Sequence, residues 1–237
     1  MFRSLAPSDS APPPLSLLVG EARVFSDWAR GARENRWLAE AHKGDGHPVM
    51  ILPGFMVHDT RMTLMKTTLR RAGYRAHGWG LGRNLGVTAE MLDRIDARMD
   101  WIERRSGQPA TLLGWSLGGL IAREYAKRAP HRVARVITMG SPFSGSPRAN
   151  HAWRLYEWVA RHPVDAPPIE ARLDEKPPVP TYALWSRRDG VVAAASARGL
   201  PGERDEAIEV DCTHLAFACA PEAVAAVLSV LGTPLSR

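Results

Sequence analysis

The residue of this sequence best suited to do chemistry is Ser116, at the centre of Gly114-Trp115-Ser116-Leu117-Gly118 and followed by Gly119. The apolar run Ala110 to Leu113 before it reads as a strand, and Leu120 to Ala129 after it reads as a helix. A serine on a sharp strand-to-helix turn has a strained backbone and a presented hydroxyl, and small residues two positions away on either side let the strand and helix approach without collision. A serine hydroxyl is a weak nucleophile at neutral pH, so it needs a base to take its proton and a third group to orient and charge-stabilise that base. The chain order expected after such a turn is serine, acid, histidine. That order selects Asp189, in the turn Ser186 to Gly190 after the apolar run Thr181 to Trp185, and His214, just past the run ending at Asp211. His131 falls at a helix-to-strand turn on the opposite edge of the sheet, and His151 and His162 fall in an irregular insertion, so all three read as surface residues. Asp165 and Asp174 sit in that same insertion, and Asp211 shares the strand end with His214.

Attack on a carbonyl also requires N–H donors for the oxygen that gains charge. The Leu117 amide, first in the helix after the serine, is one candidate. The second is expected in the turn Pro53-Gly54-Phe55-Met56, where the Phe55 amide is preferred over that of Met56. Met56, Trp115 and Trp153 are the candidates to touch a substrate. An aromatic helix (Trp153, Tyr156, Trp158) and a methionine-rich one (Met56, Met62, Met65) suggest an apolar acyl pocket.

These residues need a scaffold that brings strand ends together. Short apolar runs alternate with amphipathic segments, which predicts an α/β fold with a mostly parallel sheet flanked by helices. Strands are predicted at 48–53, 74–79, 110–115, 133–139, 179–185 and 206–211, and helices at about 59–72, 88–105, 117–129, 150–161 and 221–231. Asp59 and Thr88 read as N-caps, and Gly73 and Gly107 as stops. Residues 1–45 divide into a leader (1–14) and a helical arm with Leu18, Val24, Phe25, Trp28, Trp37 and Leu38 at helical spacing and Gly31 as a weak point. The arm is expected to cover apolar surface of a single domain at 46–237, in which the proline-rich stretch 141–180 forms a small cap over the C-terminal sheet edge.

A chain of 237 residues with 45% hydrophobic content can bury the core of one such domain. The formal charge of +6 is spread over pairs such as Arg70-Arg71 and Arg104-Arg105 with acids between them, which argues against nucleic-acid binding. Pro12, Pro13 and Pro14 interrupt any signal-peptide core, and the Leu15–Val19 run is too short to span a bilayer, so no transmembrane segment is expected and the cytoplasm is the default location. The glycine-rich stretch Gly78 to Gly86 carries Arg83 and Leu85 where a dinucleotide fingerprint needs glycine. With no H-E-x-x-H, P-loop or calcium loop either, no cofactor and no metal are expected. Nothing in the pattern specifies an oligomeric state.

The Pro53-Gly54-Phe55 turn, the 114–119 turn, Gly140-Ser141-Pro142, the Ser186–Asp189 turn and Thr213-His214 together resemble the α/β-hydrolase superfamily, in particular small bacterial esterases and lipases. The resemblance covers about 46–231. It implies metal-independent cleavage of a small-molecule ester or acyl substrate through an acyl-enzyme intermediate. Thioesterase, amidase, lactonase and acyltransferase chemistry use the same residues, and the fold also has non-catalytic members. Residues 190–195 are small and apolar where many such proteins carry a proline and polar side chains.

Overall fold

The computed structural model describes residues 11–235, so most of the predicted leader lies outside the described residues. Six strands, β1 (Pro48–Leu52), β2 (Arg75–Gly78), β3 (Ala110–Trp115), β4 (Val133–Met139), β5 (Thr181–Trp185) and β6 (Glu206–Glu209), form one parallel sheet in the order β2-β1-β3-β4-β5-β6. The chain runs outward from β1 to β2 and then returns across β1 to β3. The direction of winding therefore reverses between β1 and β3, and the crevice beyond the carboxyl ends of such a strand pair is where open α/β sheets hold their ligands. The Pro53–Phe55 turn leaves β1 and Ser116 leaves β3, so both open onto that crevice.

Both faces of the sheet are covered, which is why β1 and β3 are buried at every position and read as continuous apolar runs. On one face, α3 (Thr63–Arg71) and α8 (Pro221–Gly232) supply Met65, Leu69, Val224, Val227 and Leu228. On the other, α4 (Met91–Ser106) and α5 (Leu117–Arg128) supply Ile95, Met99, Ile102, Ile121 and Tyr125. Helix α6 (Trp153–Ala160) lies within the 141–180 excursion. The short α7 (Ala194–Arg198), which sequence periodicity does not reveal, follows the Asp189 turn.

Two predicted caps need correction. Asp59 does not cap its helix: the preceding His58 does, its Nδ1 accepting from the Thr60 amide at 3.3 Å, while Asp59 Oδ2 accepts from the Gly80 amide at 3.1 Å. Thr88 lies ahead of α4, which starts after Glu90 with no side-chain cap. Gly107 ends α4 in the left-handed conformation, at φ 69°.

The N-terminal arm consists of α1 (Leu15–Gly20), a 3-10 turn (Glu21–Arg23) and α2 (Val24–Glu40). Its buried stripe is Val24, Asp27, Gly31, Asn35 and Ala39, whereas Phe25, Trp28 and Trp37 are exposed. The arm lies against α3 and α8, with Ala39 in the core cluster and Leu38 packed on it, while Phe25, Trp28 and Trp37 face outward, and Gly31 is a contact point within a continuous helix rather than a weak point. At the level of Gly31, α2 also meets loop backbone, which admits no larger residue. A Cβ on Gly31 would stand 2.1 Å from the Cys219 carbonyl oxygen, and that carbonyl accepts from Asn35 Nδ2 at 2.9 Å. Arg30 links Asp27 at 3.1 Å to Glu222 on α8 at 2.9 Å.

Because a backbone carbonyl cannot yield as a side-chain end can, Gly31→Ala is expected to destabilise the protein by about 1–3 kcal/mol despite the better helix propensity of alanine. Chemical denaturation of the two forms checks this.

Candidate active site

Ser116 has φ 53° and ψ −123°, a conformation that L-residues adopt only where the surroundings impose it. The surroundings are backbone on backbone. A Cβ at Gly114 would lie 2.4 Å from the Gly118 carbonyl oxygen, and one at Gly118 would lie 2.3 Å from that of Leu52. Ser116 N–H donates to the Met139 carbonyl at 2.8 Å, and the Gly119 amide closes the turn on the Ser116 carbonyl at 3.0 Å. Met139 leads into Gly140, where an added Cβ would sit 3.0 Å from Asp189 Oδ2 and 3.1 Å from His214 Nδ1. The serine turn and the acid and histidine loops thus meet at the carboxyl ends of β3, β4 and β5.

Asp189 and His214 form a buried pair, with Nδ1 of the imidazole donating to Oδ2 at 2.8 Å. The other carboxylate oxygen accepts from the Val191 and Val192 amides at 2.9 and 2.7 Å, so Asp189 is fully occupied in holding one orientation. With Nδ1 protonated, His214 Nε2 is an acceptor without a partner among the described residues. Burial on its own depresses the pKa of His214. The charge of Asp189 and the hydrogen bond to it, with a smaller contribution from Glu21, outweigh this and leave the pKa raised above the ordinary value. Ser186 Oγ donates to the Cys212 carbonyl at 2.6 Å, tying the acid turn to the histidine loop, and Trp115 Nε1 donates to the His214 carbonyl at 3.1 Å.

The Phe55 and Leu117 amides have no acceptor among the described residues, whereas the Met56 amide is committed to the Asn84 carbonyl at 2.7 Å. Gly54 abuts the serine closely enough that a Cβ there would stand 3.3 Å from Ser116 Cβ. This turn is pinned by Asn84, a fully buried residue that sequence reasoning missed: its Nδ2 donates to the Pro53 carbonyl at 2.8 Å and its amide to that of Val57 at 2.9 Å. Its only signal was membership of the glycine-rich loop after β2.

An apolar cavity opens beside Ser116, lined by Phe55, Leu117, Ile121 and Val192 on the domain side and by Pro142, Trp153, Tyr156 and Ile169 from the 141–180 excursion. Trp153 is among these lining residues. Met56 and Trp115 do not line the cavity: Met56 turns outward, at φ 62°, and the Trp115 ring is buried in the core against His214, at 5.7 Å between ring centroids. On a strand with both faces buried, Trp115 points into a helix-covered core layer and not into the crevice. The excursion is fastened to α5 by the buried Arg123, which donates to the carbonyls of Leu173 and Glu175 and stacks on Phe143. His151 and His162 bond to the carbonyls of Pro13 and Val87 and take no part in the Asp189 contact.

A family model described as alpha/beta hydrolase fold matches residues 80–167. The pimeloyl-[acyl-carrier protein] methyl ester esterase of Photobacterium profundum is 40% identical over 87 residues, covering 34% of this chain and 31% of that protein. The protein of the same name from Shewanella woodyi is 29% identical over 113 residues, covering 46% and 42%. This chain therefore spans less than half the length of these relatives. Among solved structures, the monoacylglycerol lipase of Paleococcus ferrophilus superposes with a TM-score of 0.56 at 16% identity, covering 80% of this chain and 95% of the lipase. With its parallel six-stranded sheet, its serine turn after β3 and these likenesses, the chain has the α/β-hydrolase fold and is similar over part of its length to bacterial esterases.

Proposed function

We propose that this protein is a serine hydrolase of carboxylic esters, with Ser116 as nucleophile, His214 as general base and Asp189 as the group that orients and stabilises the histidine. The observation that carries this reading is the buried Asp189–His214 contact at 2.8 Å, beside a serine held at φ 53°. His214 Nε2 takes the Ser116 Oγ proton as Oγ bonds to the ester carbonyl carbon. The carbonyl oxygen gains the negative charge, which the Phe55 and Leu117 amides receive. Collapse of the tetrahedral intermediate expels the alcohol, protonated by His214, and leaves an acyl-enzyme that water cleaves by the same sequence.

The apolar cavity suits the acyl chain, with the 141–180 excursion as its cap and Trp153 and Tyr156 as its aromatic wall. Similarity to methyl ester esterases favours an ester over an amide as the scissile bond. No helix among the described residues is long and apolar enough to cross a membrane, and the two buried free thiols, Cys212 and Cys219, suit a reducing cytoplasm.

A fluorophosphonate probe is expected to label the wild-type protein and to fail on Ser116→Ala and His214→Ala; a folded wild type that stays unlabelled refutes the reading. Hydrolysis of p-nitrophenyl esters is expected to fall about 10⁴-fold or more in Ser116→Ala. The base works only when neutral, so activity is lost as pH falls through the His214 pKa. Since that pKa is raised, the acid limb of kcat/KM is expected above about pH 6.5, the ordinary imidazole value. Asp189→Asn removes the charge that raises it and is expected to move the limb to lower pH while cutting kcat by about 10⁴-fold. Asn84→Ala loosens the turn that presents the Phe55 amide. It is expected to lower kcat by about 10- to 100-fold with little change in KM, less than outright loss of an oxyanion donor, as steady-state kinetics on the same esters reads out.

A further inference from the structure

The loops that carry Asp189 and His214 have three backbone N–H groups whose acceptor lies in the N-terminal arm. Glu21, in the 3-10 turn between α1 and α2, is buried. Its Oε1 accepts from the amides of Gly190 and His214, each at 2.8 Å, and its Oε2 accepts from that of Leu215 at 2.8 Å. Gly190 is the residue after the acid, and His214 is the base itself, so one side chain bridges the two loops. The approach is backbone-close, since a Cβ on Gly190 would stand 2.3 Å from the Leu17 carbonyl oxygen. Three donors converging on two oxygens call for an acceptor-only group; an amide in its place would turn an N–H toward one of them.

We propose that Glu21 is a positioning residue of the active site, a carboxylate lent by the N-terminal arm that fixes the acid and base loops relative to one another and places a second negative charge behind His214. The inference rests on the serine-hydrolase reading. An imidazole that becomes cationic in the transition state gains from negative charge on its far side, and in a buried site such charge is weakly screened. The charged and titratable groups around it are Asp189 from the β5 turn, Cys212 from the β6 loop, Asp27 and Arg30 from α2, Glu222 from α8, and the Arg188–Asp211 pair at the rim. Arg30 offsets Asp27 and Glu222, and Arg188 offsets Asp211, which leaves Asp189 and Glu21 as the carboxylates acting on the histidine. The arm has further anchors at Gly31, Asn35 and Arg30, so losing Glu21 need not detach it.

The test compares wild type, the isosteric Glu21→Gln, Glu21→Ala, and Arg30→Gln, which breaks an arm anchor elsewhere. Readouts are kcat and KM on p-nitrophenyl esters against pH, thermal unfolding, and an NMR titration of the His214 imidazole, which needs no activity. Glu21→Gln is expected to lower kcat by about 10- to 100-fold with KM within about twofold. It is also expected to move both the acid limb and the NMR midpoint of His214 to lower pH by about half a unit. Arg30→Gln is expected to lower the unfolding temperature and leave the His214 midpoint in place. If Glu21→Gln unfolds at lower temperature but keeps the kcat, acid limb and His214 midpoint of the wild type, Glu21 is an anchor only and the proposal is overturned. Should Glu21→Ala fail to fold, the isosteric variant carries the comparison alone. A wild type inert to fluorophosphonate would refute the hydrolase reading instead, and the NMR midpoint would still decide whether Glu21 acts on His214.

Discussion

Taking a carboxylate and an imidazole out of water costs several kcal/mol per charge unless nearly every lone pair and proton finds a partner. Asp189 has no exposed side-chain surface and His214 almost none, so this requirement governs the architecture around them. One carboxylate oxygen takes the imidazole proton and the other takes two amides of its own turn. The histidine's carbonyl takes the Trp115 indole, and its amide reaches across to Glu21. The routes of the loops after β5 and β6, the burial of Trp115 next to Ser116, and the seat of the N-terminal arm are all ways of meeting that demand.

A second constraint acts on the serine side. At the 114–119 turn the strand, the helix and the end of β1 approach until only glycine fits at 114 and 118, and this crowding holds Ser116 in its positive-φ conformation. The strain is maintained by a rigid sheet buried on both faces. The same reversal of winding between β1 and β3 that opens a crevice also brings the Pro53–Phe55 turn beside the serine, with Asn84 bracing that turn from behind. The 141–180 excursion closes the other side of the cavity, fastened to α5 through Arg123. Ser116, the Phe55 and Leu117 amides and the cavity wall therefore sit on neighbouring, mutually braced elements, as the proposed chemistry requires.

The arm shows where hydropathy misleads. Its large apolar side chains at Phe25, Trp28 and Trp37 suggest the buried face, yet the buried stripe is made of small and polar residues. Where α2 crosses the Cys219 loop it meets a carbonyl, so it buries Gly31, which lets the backbones approach, and Asn35, which bonds that carbonyl. Nothing in local periodicity marks that crossing.

The sequence by itself determined the alternation of elements, the strand and the helix bounding the serine turn to within a residue, and the three candidate positions Ser116, Asp189 and His214. All of these rest on local rules: period of apolar residues, glycine at crowded turns, and chain order. The tertiary structure alone decided that Phe55 and not Met56 has a free amide, that Trp115 and Met56 stand outside the cavity, and that Asn84 and Glu21 brace the loops. Each of those outcomes depends on which backbone groups from distant parts of the chain face one another, and a hydrogen bond between residues nearly two hundred positions apart leaves no periodic trace in either segment.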